Sequence, residues 1–372
     1  MLSPLDDYPV HQIPDTLNHV ATSDRNFYDR YYFNCHARDG SVFFVLSLAA
    51  YPNLGLMDAF TTVVLDKKQH IVRASRELDG DRHHTVVGPL AVEVVEGLRR
   101  LRLTCAPNDW GLEYDLTFEG SAPPYQEPRF FRRAVTRVIM DYLRFTQVGR
   151  WSGRLKVAGR TFEVTPDRWW GARDRSWGVR TGSVGDPEPP HGFSARGLRS
   201  FFWQWAPIQL QDSAILYTIS EEADGRRWHE SAVRLYPEST KREPEHLTIV
   251  SHRLKMRPGT RIFDGGRIVL AEPGGRELEI EMRCRSTMHM AGAGYLNFSS
   301  DWRHGHYHGV PLAVDGEVWD LRDSSLRLRA GDHTEGLCEF RVGDDVGHGI
   351  IEFYCLGPYE PYGLMTATDV AP

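Results

Sequence analysis

The sequence predicts an all-β protein made of two similar antiparallel β-domains in tandem. Three observations support this prediction: apolar and polar residues alternate with a period of two, turn-forming glycines separate the alternating segments, and one Gly-x-aromatic-x-Gly pattern occurs in each half of the chain. Many strands joined by short turns are typical of barrels and sandwiches. A chain of 372 residues has room for two domains of ordinary size.

The alternation is clearest in residues 112–118 and 278–284, where every second residue is apolar and most of the residues between are charged. This pattern indicates half-buried antiparallel strands. Residues 94–103 fit a short helix or a strand equally well. We predict hairpin turns at Ala158-Gly159, Ala223-Asp224-Gly225, Asp264-Gly265-Gly266, Pro273-Gly274-Gly275 and Gly343-Asp344-Asp345.

A weak internal repeat supports the tandem arrangement. Its copies begin at Gly149 and Gly305, and each continues into a strand-like segment, residues 159–164 and 316–321. Two similar domains would leave such a repeat, and chance similarity of two hairpins is the alternative. Glycine and proline dominate the stretch between the halves. We therefore predict an N-terminal barrel in residues 1–180, a linker in 181–198 and a C-terminal barrel in 199–372.

Composition and charge exclude several classes of function. The net charge of -6 argues against nucleic-acid binding, and no apolar run reaches the roughly 18 residues of a spanning helix, so no stable membrane insertion is expected. The first residues have neither the basic nor the apolar region of a signal peptide. Five scattered cysteines without a Cys-x-x-Cys pair indicate reduced thiols in the cytoplasm.

Common cofactor and nucleophile motifs are missing from the sequence. There is no Walker loop, no Gly-x-Gly-x-x-Gly after a strand, no Gly-x-Ser-x-Gly and no His-Glu-x-x-His. This leaves acid–base chemistry without a cofactor, or binding alone. The expected partner is a hydrophobic small molecule, and long edge strands also allow a homodimer.

The segment Trp170–Arg180 carries the densest functional signal. It combines two tryptophans, three arginines, one aspartate and two glycines. Arginine and aspartate are rarely buried unless they are paired, and a surface loop has no need of two indoles. We therefore expect Arg173 and Asp174 to form an ion pair against an apolar wall that includes Trp177, as in a small-molecule pocket.

A second aromatic segment, Phe201–Pro207, follows at strand distance. Trp203 and Trp205 share one strand face, and Gln204 faces the other way. The indoles are predicted to form the pocket wall, where their ring faces could stabilise a carbocation; filling of a barrel core is the alternative. Gln204 needs a polar partner, so we expect it to bond a ligand oxygen.

These features resemble the two-domain lipocalin-like family of carotenoid 1,2-hydratases, AttH, survival factor 1 and the fungal Diels–Alderases. The resemblance rests on Asp174-Arg175-Ser176-Trp177-Gly178, on the aromatic segment 201–207 and on the closing segment 347–353, and it covers roughly residues 31–363. It implies two packed lipocalin-like barrels. The carotenoid hydratases have a histidine where this chain has Arg175, and an acid where it has Gln204. Since an amide cannot protonate an alkene, these departures argue against carotenoid hydration.

The candidate site follows from these segments. Glu352 shares a strand face with Tyr354 and becomes a pocket acid if that face points inward, whereas an outward face would leave it solvated. Asp174 could serve as a general acid or base or form only a structural ion pair. The predicted catalytic residues are Asp174, Glu352 and His289, and the predicted ligand-binding residues are Trp177, Trp203, Gln204, Trp205, Arg173, Arg175 and Tyr354.

No metal site is predicted, although three histidines are candidate ligands. His304, His306 and His308 would share a face if residues 304–308 formed a regular strand, and alternating histidines can bind zinc. The first copy of the repeat offers no ligand at the matching positions. We expect these histidines to lie at the surface or at a pocket rim.

Two functional hypotheses remain. The first is a cofactor-independent hydratase, dehydratase, isomerase or cyclase that uses acid–base chemistry on an apolar terpenoid, polyketide or steroid-like substrate. The second is a non-catalytic lipocalin-like carrier of a hydrophobic metabolite.

Overall fold

Antiparallel strands make up most of the computed structural model, which describes residues 2–134, 136–180, 200–295 and 302–372. They form two nearly closed, barrel-like sheets packed together, so the predicted all-β fold of two lipocalin-like barrels is confirmed. The predicted linker 181–198 lies outside the described residues, and the division into two domains at this point stays a prediction.

The described chain up to residue 180 forms thirteen strands. They are β1 (Phe27–Ala37), β2 (Val42–Tyr51), β3 (Leu56–Leu65), β4 (Lys68–Glu77), β5 (Val86–Val87), β6 (Leu90–Glu96), β7 (Arg100–Cys105), β8 (Leu112–Gly120), β9 (Tyr125–Gln126), β10 (Phe130–Ala134), β11 (Arg137–Val157), β12 (Arg160–Val164) and β13 (Trp169–Arg180).

The described residues after 199 add ten strands and few helical turns. The strands are β14 (Phe201–Gln209), β15 (Ala214–Glu221), β16 (Arg227–Leu235), β17 (Glu245–His246), β18 (Thr248–Met256), β19 (Phe263–Ala271), β20 (Glu277–His289), β21 (Leu312–Asp320), β22 (Thr334–Val342) and β23 (Asp345–Leu356). The helices are α1 (Leu326–Ala330) and the 3-10 turns Pro4–Asp7, Pro52–Leu54, Glu238–Thr240, Met290–Ala293 and Glu360–Tyr362.

The first sheet has the strand order β21-β4-β3-β2-β1-β13-β11-β8-β7-β6-β5, with β9, β10 and β12 also paired to β11. Its interior is filled by one apolar cluster that includes Phe33, Phe118 and Trp151. β21 comes from the second half of the chain, yet it pairs with β4 along its whole length. The first sheet is therefore completed by a strand from the other half.

The second sheet has the order β17-β16-β15-β14-β23-β22-β20-β19-β18. Phe202, Tyr217 and Phe353 belong to the cluster that fills its interior. A third cluster lies between the two sheets and joins Tyr28 and Tyr32 of the first sheet to Trp203, Trp205 and others of the second. Side chains that point out of the two barrels are thus buried between them.

Most of the predicted hairpins are present, and residues 94–103 form strands rather than a helix. The turn predicted at Asp264-Gly265-Gly266 is wrong, because these residues lie inside β19. Gly265 and Gly266 face β18 and β20, where an added Cβ of Gly266 would lie 2.4 Å from the carbonyl oxygen of Arg253. These glycines permit close approach of neighbouring strands rather than chain reversal.

The internal repeat does not mark equivalent strands. Residues 149–153 lie within the long strand β11, whereas residues 305–309 precede β21 and belong to no strand. β12 pairs with β11 in a hairpin, but β21 pairs with the distant β4. His304, His306 and His308 therefore share no strand face, which was the condition for the zinc site considered as an alternative. Over the ranges that the structure describes, no helix is long and apolar enough to cross a membrane.

Candidate active site between the two sheets

A cavity of about 230 Å³ lies between the outer faces of the two barrels. This volume is close to the lower end of the roughly 300–1,000 Å³ found for small-molecule sites. The cavity lies outside the apolar clusters that fill the two barrels. The cavity is lined by Arg30, Tyr32, Met140, Tyr142, Arg144, Asp174, Ser176, Arg180, Phe201, Trp203, Trp205, Gly294, Tyr295, His304, His333, Glu352, Tyr354 and Leu356.

Strand alternation decides which residues of β13 reach the cavity. Successive side chains of a strand point to opposite faces, so Asp174 and Ser176 face the second sheet, together with Arg180. Asp174 lies directly across from Tyr32 of β1 and from Thr146 of β11. β1 on one side and β11 on the other therefore hold Asp174 in a fixed register.

Asp174 is a buried acid with an unusual proton affinity. Its side chain is 9% exposed, and among the described residues no donor forms a hydrogen bond to its carboxyl group. Burial raises the pKa of Asp174 to about 6, and the negative charges of Glu127 and Glu352 act in the same direction, against the attraction of Arg144 and Arg180. This carboxyl group is half protonated at about pH 6 and about one tenth protonated at neutral pH.

Glu352 faces the same cavity, but its carboxyl group favours the ionised form. Burial works against its charge, but hydrogen bonds from the His333 ring and the Trp203 indole hold the pKa of Glu352 below its ordinary value. The Nε2 atom of His333 lies 2.9 Å from one carboxylate oxygen, and the Nε1 atom of Trp203 donates to the other at 2.9 Å. The glutamate is therefore ionised and oriented.

The tautomer of His333 follows from its partner. An ionised carboxylate only accepts hydrogen bonds, so Nε2 of His333 carries the proton that it shares with Glu352. In the neutral ring the buried Nδ1 atom is the acceptor, and it has no partner among the described residues. A histidine oriented by a carboxylate in this way can accept a proton.

Glu335 lies beside Glu352 on the neighbouring strand β22. Burial, and then the charge of Glu352, hold the pKa of Glu335 well above its ordinary value. The hydroxyl of Tyr32 donates to Glu335 at 2.6 Å, which links the first sheet to the second. One carboxyl group of this pair is thus kept neutral beside an ionised one, because two adjacent buried charges repel each other.

Arg144 is a buried cation that lines the cavity. It forms a bidentate ion pair with Glu127, with nitrogen–oxygen distances of 2.9 and 2.5 Å, and both side chains are buried. Its guanidinium also lies 4.9 Å from the ring centre of Trp203 and 5.2 Å from that of Trp205. Such contacts hold indole rings in place.

The structure brings five of the ten predicted residues to the cavity. Asp174, Trp203, Trp205, Glu352 and Tyr354 line it together. Trp205, Glu352 and Glu335 stand in register on β14, β23 and β22, so the glutamate face of β23 points toward the first sheet. The tryptophans lie between the barrels, neither in a barrel core nor inside a barrel pocket.

Three predicted residues of β13 lie on the other face of the strand. Arg173 donates to Gln147 at 2.9 Å and lies over Phe145, and Arg175 pairs with Asp29. Trp177 is 38% exposed. The expected ion pair of Arg173 with Asp174 does not form among the described residues, because adjacent strand positions point in opposite directions.

Gln204 and His289 also lie away from the cavity. Gln204 is buried inside the second barrel, where it bonds His252 at 3.2 Å and accepts from Tyr217 at 3.1 Å. Its polar partners are therefore protein groups rather than a ligand oxygen. The backbone of His289 is held by Gln69, and its ring lies 3.2 Å from the carbonyl oxygen of Gly331.

Sequence reasoning missed Tyr32, Arg144, His333 and Glu335. Arg144 had a usable signal, since it continues the alternation of Met140 and Tyr142 as a charged residue on an apolar face. Tyr32, His333 and Glu335 have no such signal in the sequence. They reach the site only through pairing of β22 with β23 and through packing of the two sheets.

Within the described ranges, His304, His306 and His308 form no common metal site, although the rings of His306 and His308 lie 5.1 Å apart. His304 lines the cavity, but its Nε2 atom lies 2.8 Å from the carbonyl oxygen of Ala293. Among the residues described, no group of three His, Cys, Asp or Glu side chains is placed to hold a metal ion.

This architecture defines a class: proteins of two antiparallel barrel-like sheets with a ligand-sized cavity between them. The chain belongs to a family of unknown function, DUF8625, whose model matches residues 2–365. A comparison with curated proteins gives no significant match.

Solved structures show the same architecture. The chain is similar to an AttH-like protein, NE1406, from Nitrosomonas europaea, with a TM-score of 0.54 and 14% identity over 93% of this chain and 98% of that chain. Kievitone hydratase from Nectria haematococca (TM-score 0.49, 11% identity, 87% and 88% covered) and CghA with Sch210972 (0.49, 10%, 90% and 89%) are also similar. The predicted resemblance to the two-barrel lipocalin-like family is confirmed at the level of the fold.

Proposed function

We propose that this protein is an enzyme that catalyses acid–base chemistry on an apolar small molecule, as a hydratase or dehydratase, an isomerase or a cyclase. One observation carries the proposal: Asp174, with a pKa of about 6, and the ionised Glu352 face one aromatic-walled cavity. Titratable groups whose environments drive their pKa values apart are the usual basis of an acid and base pair.

Asp174 is the proposed general acid. Its protonated form is favoured by burial, and it lies on a rigid strand rather than a loop, so the proton is held at a fixed point of the cavity wall. In a dehydration it would protonate the leaving hydroxyl group, and in an isomerisation it would protonate a substrate carbon or oxygen. Positioned proton transfer of this kind contributes roughly 10²–10⁴-fold in rate.

The His333–Glu352 pair is the proposed base. It would remove a proton from the substrate, or from an added water in a hydration, as Asp174 delivers one, so the net proton count of the reaction is zero. The carboxylate stabilises the imidazolium that forms. Phe201, Trp203 and Trp205 would hold the apolar body of the substrate and place their ring faces toward developing positive charge.

Mass spectrometry of a small-molecule extract from the source cells tests the proposal. Aliquots are incubated with the wild type, with Asp174→Asn, with the control Asp109→Asn, whose aspartate is exposed in a loop, or with buffer alone. A species changed by one water, or an isomer with new retention, should form with the wild type and the control only. Retention of one compound by every variant without conversion would favour the carrier instead.

The rate should fall as the pH rises through about 6. Since the acid must be protonated, kcat/KM should drop about tenfold per pH unit above the pKa of Asp174. Glu352 stays ionised through this range, because its pKa lies below its ordinary value. A pH profile of kcat/KM between 4.5 and 9, on the substrate found above, measures this. A rate that rises toward pH 8 would contradict the assignment of Asp174 as the acid.

A further inference from the structure

We propose that the ligand of this cavity carries an anionic oxygen group, a carboxylate or an enolate, that binds over Ser176 between Arg30 and Arg180. The inference rests on the proposed function only in taking the cavity between the sheets as the substrate site. It narrows the substrate class from apolar molecules in general to compact apolar acids.

The register of three strands places two arginines beside Ser176. On one side Ser176 pairs with Arg30 of β1, and on the other with Arg144 of β11. Side chains directly opposite on paired strands have Cβ atoms about 4.5–5.5 Å apart. All three residues line the cavity. The short side chain of Ser176 thus leaves space between the long side chains of Arg30 and Arg144.

Gly178 admits a third cation to this face. It lies between Tyr28 and Tyr142 in the register, and an added Cβ would lie 2.3 Å from the carbonyl oxygen of Asp141. The guanidinium of Arg180 lies over those two tyrosines, 4.7 Å from the ring centre of Tyr28 and 5.7 Å from that of Tyr142. A side chain at position 178 would collide with β11 at Asp141 and Tyr142, the tyrosine that Arg180 covers.

Among the described residues, two of the three arginines have no paired carboxylate. Arg144 is neutralised by Glu127, but within the described ranges neither Arg30 nor Arg180 has a carboxylate oxygen within 4 Å. Arg30 is 2% exposed and donates to the hydroxyls of Tyr51 and Tyr295, and its Nε atom has no partner among the described residues.

Asp58 offsets part of this positive charge. It attracts Arg30 electrostatically, and although burial raises the pKa of Asp58 to about 6, most of this carboxyl group is ionised at neutral pH. Burial likewise raises the pKa of Asp174 to about 6, and this carboxyl group is neutral when it acts as the acid. Buried cations are costly unless they are paired. An anionic ligand group would supply the missing charge while Asp174 holds its proton.

This arrangement also sets a dimension of the ligand. Asp174 and Ser176 are two residues apart on a strand, which corresponds to about 7 Å. The reacting atom would therefore lie about that far from the anionic group. The apolar remainder would contact Phe201, Trp203 and Trp205 on the second sheet.

Isothermal titration calorimetry with four probes tests the inference. 2-Naphthoate carries a carboxylate and 4-hydroxycoumarin an enolate, and 2-naphthalenemethanol and coumarin are their neutral counterparts. At low salt we expect the wild type to bind at least one anionic probe tenfold or more tighter than its neutral counterpart, and the pair that shows it identifies the anionic group. Arg180→Gln should remove most of that preference. Arg154→Gln, at an exposed arginine of β11, should retain it.

Other outcomes separate this inference from the proposed function. Equal affinity of the wild type for anionic and neutral probes, or binding of none of the four, would overturn the inference even if turnover of a substrate is found. A tenfold preference in a protein that converts no compound would support the inference and reject the enzyme. Because the wild type alone gives the preference, the test survives misfolding of Arg180→Gln.

Discussion

The Asp174→Asn variant is expected to be more stable than the wild type at pH 8, by about 2–3 kcal/mol, while it loses turnover. The carboxyl group is buried, accepts no hydrogen bond from the described residues and has a pKa raised from 3.8 to about 6. A shift of one pKa unit corresponds to about 1.4 kcal/mol. An amide carries no charge to desolvate, so the substitution removes that cost.

The pH dependence of this gain has a definite sign. Because the folded-state pKa of Asp174 lies above the unfolded-state value, the folded protein binds the proton more tightly. The wild type therefore loses stability as the pH rises from about 4 to about 6, and the deficit is constant above that range. The advantage of Asp174→Asn should be full at pH 8 and should shrink toward zero at pH 4.

Urea denaturation of both proteins at pH 4, 6 and 8 measures this difference, with Asp109→Asn as the exposed control. The comparison also decides between the two roles considered for Asp174. A structural ion pair would make Asp174→Asn less stable at pH 8, with loss of turnover through unfolding. A more stable but inactive variant supports a role in the chemistry, since active sites commonly trade stability for function.

The Arg144→Met variant is expected to lose about 3–5 kcal/mol of stability. Arg144 is bound by both oxygens of Glu127, and both side chains are buried. Methionine keeps much of the apolar contact with Trp203 and Trp205 but leaves the carboxylate of Glu127 buried and uncompensated. The loss of stability arises mainly from this unpaired buried charge rather than from the strength of the ion pair itself.

The double variant Arg144→Met with Glu127→Gln should recover most of the loss. Glutamine removes the stranded charge, and its carbonyl oxygen can still accept the hydroxyl of Thr146, which donates to Glu127 at 2.6 Å. Urea denaturation of the two single variants and the double variant completes the cycle. Strictly additive losses would show that the two side chains do not act as a pair.

Local pattern was sufficient for the predictions that concern a single strand. The alternation of Trp203 and Trp205 against Gln204 places the indoles on one face and the amide on the other, as found. The same rule, applied to Arg173, Asp174 and Trp177, would have separated the aspartate from its neighbours. The cluster in the sequence was interpreted as a cluster in space, but on a strand adjacent residues diverge.

The all-β fold, most of its hairpins and the segments that carry the site can be predicted from local pattern, because they depend on period-two burial and turn chemistry within a few residues. The position of the site between the barrels, and the approach of Tyr32, Arg144, His333 and Glu335 to Asp174 and Glu352, follow from strand pairing and sheet packing. Strand pairing and sheet packing connect residues up to 303 positions apart. The free energy of such contacts depends on burial that no local pattern encodes.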